Sequence, residues 1–149
     1  MIVLAIDPGE TTGFVLAEVV TDDRITIKES GDWSGLGAFI ANMDLFAGVD
    51  VCVCEDYKIR PNRANTHIGD PLYAAQEIGR VKLMATLKGA QVVLQSASSA
   101  KQLWPGQRLD HYVNIATLKS RHTIDALRHL FTYAERQGLY RFVKAAEAL

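Results

Sequence analysis

Apolar residues come first in short dense runs and later at helical spacing. Residues 2–7, 13–20 and 24–29 are strand-like runs, and Thr21-Asp22-Asp23 is a turn between the second and third. Three such runs in succession predict an antiparallel meander. The period then changes. Leu36, Phe39, Ile40, Met43 and Phe46 fall at helical spacing within residues 33–47, and Gly48 is placed to stop that helix. Residues 49–55 again read as a buried strand. Asp70-Pro71 opens a predicted helix to Lys88, with Leu72, Ala75, Ile78, Gly79, Lys82, Leu83 and Leu87 on and beside one face and Gly89 as its end. Residues 91–95 form a short strand, and a helical turn surrounds Lys101-Gln102-Leu103 before Trp104-Pro105-Gly106. Residues 107–119 carry no clear period. Residues 120–137 form a helix with Ile124, Leu127, Phe131 and Ala134 inward, and 139–149 read as a short amphipathic helix. The order β-β-β-α-β-α-β-α predicts an α/β fold: a mixed sheet, part antiparallel meander and part parallel, flanked by helices.

Composition narrows the class. A chain of 149 residues fits a single domain spanning 1–149, since domains run to ~100–200 residues. An apolar content of 48% with 22% charge is ordinary for a soluble protein. The first apolar run is short, lacks a basic flank and ends in an acid, so it does not read as a signal peptide. No run approaches the ~20 residues of a membrane span. Cys52 and Cys54 are the only cysteines. They share a strand face but are held too far apart to bridge comfortably, and no further Cys or nearby His pair suggests zinc. Reduced core thiols in a cytoplasmic protein are the expectation.

Charge is distributed unevenly. Residues 1–57 hold eleven acids and two bases, whereas residues 58–149 hold fourteen bases and six acids, although the whole chain is only −1. A basic second half points to a polyanion partner.

Three acids stand out from this background. Asp7 closes the first apolar run and opens Asp7-Pro8-Gly9-Glu10-Thr11-Thr12-Gly13-Phe14. A carboxylate at the tip of a buried strand is costly without compensation, and a cation is the usual compensation. The Pro-Gly turns the chain, and Gly13 admits a close backbone approach. The plainer alternative is an acid that merely starts a turn. Glu55 likewise ends an apolar strand. Asp125 lies early in the last helix, three residues after His122, so the two share a helix face. An acid favoured by the helix dipole and a capping or surface histidine are the alternatives there. If the three acids converge they repel, and a divalent ion is the natural neutraliser. Oxygen-rich ligation suits Mg²⁺ or Mn²⁺, and a pair of ions roughly 3.5–4 Å apart is suited to phosphodiester hydrolysis.

These motifs together resemble the RuvC-type Holliday-junction resolvases of the ribonuclease-H-like nuclease superfamily. The resemblance rests on Asp7-Pro8-Gly9…Thr12-Gly13-Phe14, on Glu55 closing a later strand, and on His122-x-x-Asp125-Ala126-Leu127. It spans most of the chain, in the family's element order. Gln76-x-x-Gly79-Arg80 and the segment from Ser96 to Lys101 resemble two further family patterns, whereas the loop after Glu55 and residues 104–119 match none. The compact length is similar to that of phage-encoded members. The resemblance implies a crossover junction endodeoxyribonuclease with Asp7, Glu55 and Asp125 as metal ligands, and His122 as a ligand or a proton carrier. It implies two Mg²⁺ (or Mn²⁺) ions per site and branched DNA as partner, with Arg80 and Lys101 as DNA contacts. Paired incisions across a junction of two-fold symmetry need two sites, and hence a homodimer. The helix 71–88, with Tyr73, Met84 and Leu87, is its expected interface, the plainer alternative being that all three face the domain's interior.

The loop from Tyr57 to Asp70 is polar, basic and long, which in a compact domain marks a functional or mobile segment. Lys58, Arg60 and Arg63 would meet phosphates there, with Asn62 and Asn65 adding hydrogen bonds, and Tyr57 would stack on an unpaired base. A solvated loop is the plainer alternative. Three other functions compete for the whole chain. A flap, fork or single-strand nuclease of the same fold is one, and a non-catalytic nucleic-acid-binding module is another. The third is an ATPase domain of the actin and sugar-kinase type, whose phosphate loop Asp7-x-Gly-x-Thr-x-Gly resembles. The length argues against that last reading, because such proteins close two domains over ATP.

Overall fold

The computed structural model describes residues 1–20, 24–118 and 120–139 and places a five-stranded mixed sheet at the centre. Strands β1 (Ile2–Asp7), β2 (Thr11–Val20) and β3 (Arg24–Ser34) form the expected antiparallel meander. Strands β4 (Val51–Asp56) and β5 (Gln91–Ser96) extend the sheet beyond β1 with parallel pairing, so the order is β3-β2-β1-β4-β5. Among the described residues five helices accompany it: α1 (Gly35–Ala41), α2 (Tyr73–Leu87), α3 (Ala97–Leu103), α4 (Gly106–Tyr112) and α5 (Arg121–Arg136). Short 3-10 turns occur at Met43–Phe46, Pro61–His67 and Ile115–Thr117. No helix among the described residues is long and apolar enough to cross a membrane.

The central strands β1, β2 and β4 are buried on both faces, and the period of two assigns each residue a side. Val3, Ala5, Val15, Val51 and Val53 pack with Trp104, Leu109, Leu127, Leu130 and Phe131 on the α5 side. Leu4, Ile6, Phe14, Cys52 and Cys54 pack with Phe39, Phe46, Val81, Met84 and Ala85 on the α1–α2 side. Both cysteines are free and buried, and burial pushes the Cys52 thiol up to about 12, as an inert core thiol requires.

The same alternation continues to the strand ends. Asp7 follows Val3 and Ala5 onto the α5 side, and Glu55 follows Val51 and Val53 there. Asp56 falls on the other face and pairs with Lys58 at 3.0 Å. Helix α5 comes very close to the sheet at one place. A Cβ on Gly13, the residue paired with Asp7, would lie 2.1 Å from the His122 carbonyl carbon and 2.5 Å from the Thr123 nitrogen.

Several sequence expectations shift. The predicted helix over 33–47 is shorter and broken, because β3 continues to Ser34 by pairing with Thr11 and Thr12 of β2. Trp33 thereby becomes a core residue beside Phe14 and Phe39, while Leu36 and Ile40 face solvent. Helix α2 starts at Tyr73 rather than at Asp70-Pro71. Asp70 accepts a hydrogen bond from the Leu72 N–H at 2.9 Å, and Leu72 has a left-handed backbone (φ 51°). Its buried face is Glu77, Val81, Met84 and Ala85, not the face that includes Leu83 and Leu87. Apolar residues occupy both faces of α2, so period alone chose the wrong one. Met84 accordingly belongs to the core rather than to an outer interface. Helix α4 fills part of the unassigned stretch. Arg108 holds it from outside by donating to Glu135 at 2.7 Å and stacking 3.7 Å over the Trp104 ring, which leaves no apolar period to read. The amphipathic tail expected at 139–149 lies outside the described residues from 140 onward.

Glycines separate close packing from chance. Gly13→Ala forces backbone against backbone and is expected to cost about 3 kcal/mol or more, beyond ordinary overpacking. Gly37→Ala, in the open within α1, is expected to be neutral or to stabilise by up to about 1 kcal/mol. Urea unfolding of both variants checks the contrast, and a Gly13→Ala protein of native stability would contradict the packing.

Candidate active site

Three carboxylates are brought to one end of the sheet by three different elements. Asp7 ends β1, and parallel pairing of Ile6 with Cys54 sets Glu55 level with it on the neighbouring strand. Glu55 in turn pairs with Gln95 on β5, so Asp7, Glu55 and Gln95 form a row across the carboxyl ends of three parallel strands. That is where α/β sheets place their ligand sites. Helix α5 crosses this row. His122, Asp125 and His129 stand at i, i+3 and i+7, which is one helix face.

Each acid has a basic neighbour. Asp7, 7% exposed, is bonded through Oδ2 to His122 Nδ1 at 2.9 Å. Asp125 is bonded to Arg128, one turn on along α5, and lies 3.3 Å from the Lys101 ammonium of α3. Arg128 is itself fixed by donating from Nε to the Trp104 carbonyl at 2.9 Å. Glu55 Oε2 lies 3.2 Å from His129 Nε2, and His129 Nδ1 lies 3.1 Å from Gln95 Oε1. Ser120 begins α5 by accepting from the Thr123 N–H. His122 is thus released from the capping role that its position suggested and turns to Asp7.

Burial raises the Asp7 carboxyl from the ordinary 3.8 to about 6. The His122 hydrogen bond opposes the rise, and the negative charges of Glu55 and Asp125 reinforce it. The three acids therefore share one electrostatic field, as a divalent-ion site requires. Hard oxygen donors from three elements are the chemistry that Mg²⁺ or Mn²⁺ selects, so the donor set fits such an ion. Among the described residues, no three His, Cys, Asp or Glu side chains already stand grouped to hold an ion. Each acid is turned toward a histidine, lysine or arginine, so its carboxylate is now met by side chains of this chain.

The other residues singled out in the sequence are more scattered. Tyr57, Lys58, Arg60, Arg63 and His67 line a depression of about 420 Å³ in the loop after β4. Arg60 and Arg63 are exposed, Lys58 is paired with Asp56, and Tyr57 meets His67 edge to face. Arg80 is committed to the buried Glu77 at 2.8 Å, whose other oxygen accepts from Trp33 Nε1 at 2.6 Å. Lys101 alone among the expected DNA contacts reaches the acidic row. Arg128, His129 and Gln95 were passed over as site residues in the sequence. Two signals could have found them: the spacing of seven between His122 and His129, and the parity that puts Gln95 level with Glu55.

A mixed sheet in this order, with helices on both faces, defines the ribonuclease-H-like class of α/β fold. Within that class the chain is similar to RuvC from Thermus thermophilus, with a TM-score of 0.68 at 17% identity over 93% of this chain and 98% of that one. It is equally similar to T. thermophilus RuvC in complex with Holliday junction substrate, with a TM-score of 0.69 at 17% identity over 93% and 95%. The chain has the RuvC-like fold that the motifs suggested. No protein-family model and no curated protein matches it in sequence.

The raised Asp7 pKa fixes a sign. The folded chain holds the Asp7 proton more tightly than the unfolded chain, so this group removes stability as pH rises from about 4 through 6. In chelator, Asp7→Asn is expected to match wild type below pH 4 and to exceed it above pH 6 by about 1–3 kcal/mol. Urea titrations across pH 3–7.5 test this, and parallel curves would refute a costly buried charge.

Proposed function

We propose that this chain is a divalent-metal-dependent endonuclease acting on branched DNA, with four-way junctions as its first substrate and resolution by paired incisions. The observation that carries the reading is the gathering of Asp7 and Glu55, at neighbouring strand ends, with Asp125 of α5, near enough that both negative charges raise the Asp7 pKa. The similarity to an RuvC solved with a Holliday junction supports the choice of substrate. The described single sheet, with its two buried free thiols, suits one nuclease unit working in the cytoplasm.

Asp7, Glu55 and Asp125 would hold Mg²⁺ or Mn²⁺, with His122 at the edge of the site. Bound there, such ions would supply an activated water and charge stabilisation at the leaving oxygen. Lys101, already beside Asp125, would hold the scissile phosphate over the acids. His122 would pass a proton near the departing 3′ oxygen, leaving 5′-phosphate ends. Arg60, Arg63, Lys58 and Tyr57 would carry the strand across the loop after β4, the bases on phosphates and Tyr57 on an unpaired base. Arg80 would contact DNA only from its place beside Glu77.

The assay incubates protein with labelled junction, fork, flap, duplex and single-stranded DNA in Mg²⁺, Mn²⁺ or EDTA. Symmetric junction cutting in Mg²⁺ or Mn²⁺, lost in EDTA and in Asp7→Asn, is the expected result. Cleavage confined to flaps or single strands would reassign the substrate. Junction binding without any cutting would make the chain a binding module.

We also propose a homodimer through the outer face of α2. Tyr73, Leu83 and Leu87 on that helix are 47%, 63% and 70% exposed, and Gly79, where a Cβ would meet nothing within 4 Å among the described residues, leaves room for a second helix to approach closely. Leu83→Glu with Leu87→Glu is expected to halve the mass in solution while keeping the fold, as light scattering and circular dichroism would report. A wild-type monomer, free and junction-bound, would count against the interface.

A further inference from the structure

His129 lies on the third turn of α5 and is 1% exposed, so it is closed to solvent and to any substrate. Both ring nitrogens are nonetheless engaged. Nε2 meets Glu55 Oε2 at 3.2 Å and Nδ1 meets Gln95 Oε1 at 3.1 Å. A carboxylate only accepts, so Nε2 carries a proton and donates to Glu55. Gln95 presents an amide to the other nitrogen, and this second bond fixes the ring plane. The two partners come from adjacent paired strands, because Glu55 and Gln95 are in register on β4 and β5. The ring therefore bridges two strand ends and a helix, and it holds one oxygen of Glu55, whose other oxygen meets no partner among the described residues.

A buried histidine on an apolar helix face costs more than a leucine there unless its bonds are put to use. His129 does not belong to the motif that led to Asp7, Glu55 and Asp125, and nothing in the chemistry proposed above requires it. We infer that His129 is a positioning residue: with Gln95 behind it, it orients the Glu55 carboxylate so that its free oxygen faces the space shared with Asp7 and Asp125. The inference rests on the metal-site reading given under Proposed function. Outer partners that orient ligating carboxylates are typically worth ~10–100-fold in metal affinity.

Two substitutions separate positioning from mere packing. The side-chain amide of asparagine falls near Nδ1, so His129→Asn keeps a contact to Gln95 and loses Glu55. The longer glutamine places its amide nitrogen near Nε2, so His129→Gln keeps a donor for Glu55. Mn²⁺ is titrated into DNA-free protein and free Mn²⁺ is read by electron paramagnetic resonance, with melting temperature recorded for each variant. His129→Asn is expected to weaken Mn²⁺ binding ~10-fold or more, and His129→Gln to stay within ~3-fold of wild type. Equal weakening in both variants would assign the ring to packing and overturn the inference, as would wild-type affinity in His129→Asn. If His129→Asn does not fold, Gln95→Met carries the test, since it frees the ring to turn. Weakened Mn²⁺ binding then supports positioning, and unchanged binding overturns it. Wild-type protein that binds no Mn²⁺ would overturn the metal reading itself, a failure recognisable without any variant.

Discussion

The contact between Gly13 and the first turn of α5 sets the geometry on which the rest of the site depends. Helix and strand meet there backbone to backbone, with no room for even one methyl group. Only a glycine lets the helix descend to that depth, and the descent occurs directly opposite Asp7 in the sheet register. Once the helix start is pinned, its rise of 1.5 Å per residue places every later side chain. His122 falls on Asp7, and two turns further on His129 falls on Glu55 and Gln95. A helix raised by a side chain at position 13 would carry all of these groups out of reach together. Packing and site chemistry are thus one constraint rather than two.

Electrostatics makes that arrangement tense. Burial opposes ionisation of Asp7, and Glu55 and Asp125 add to the opposition. The fold answers with His122, Lys101, Arg128 and His129, each drawn from α5 or from the neighbouring α3. Lone charges at this depth would be far more costly than paired ones. The pairing also leaves the acids individually occupied, which suits a site whose charge balance changes when a cation and a phosphate enter together. Lys101 and Arg128 both hold Asp125, so that carboxylate has the most to exchange.

The outer flank of the molecule follows a different logic. Glu77 is buried under the sheet edge because Trp33 and Arg80 satisfy both of its oxygens. This polar network takes the place that an apolar residue would otherwise fill on the inner face of α2. The leucines of α2 that a simple period assigns to the core, Leu83 and Leu87, are displaced to the surface, where with Tyr73 they form an uncovered apolar face. Glu77 thus shares the inner face of α2 with Val81, Met84 and Ala85, and the opposite face is what the helix offers to solvent.

Much of this was legible one residue at a time. The five strands, the long final helix and the two strand-ending acids follow from apolar runs and local punctuation, which depend only on neighbours in sequence. Strand parity alone puts Asp7 and Glu55 on the same side once the strands are known to lie side by side. The extension of β3 to Ser34, the reversed face of α2 and the existence of α4 were not legible. Each depends on a partner distant in sequence: Thr11 and Thr12 for β3, Trp33 for α2, and Glu135 for α4. The row itself belongs to the same category. Gln95 and His129 are unremarkable in isolation, and they join Glu55 only because β4 and β5 pair in register and α5 is seated on Gly13. Local patterns chose the elements and the acids that end them. Long-range pairing and one close backbone contact decided which side chains those acids would meet.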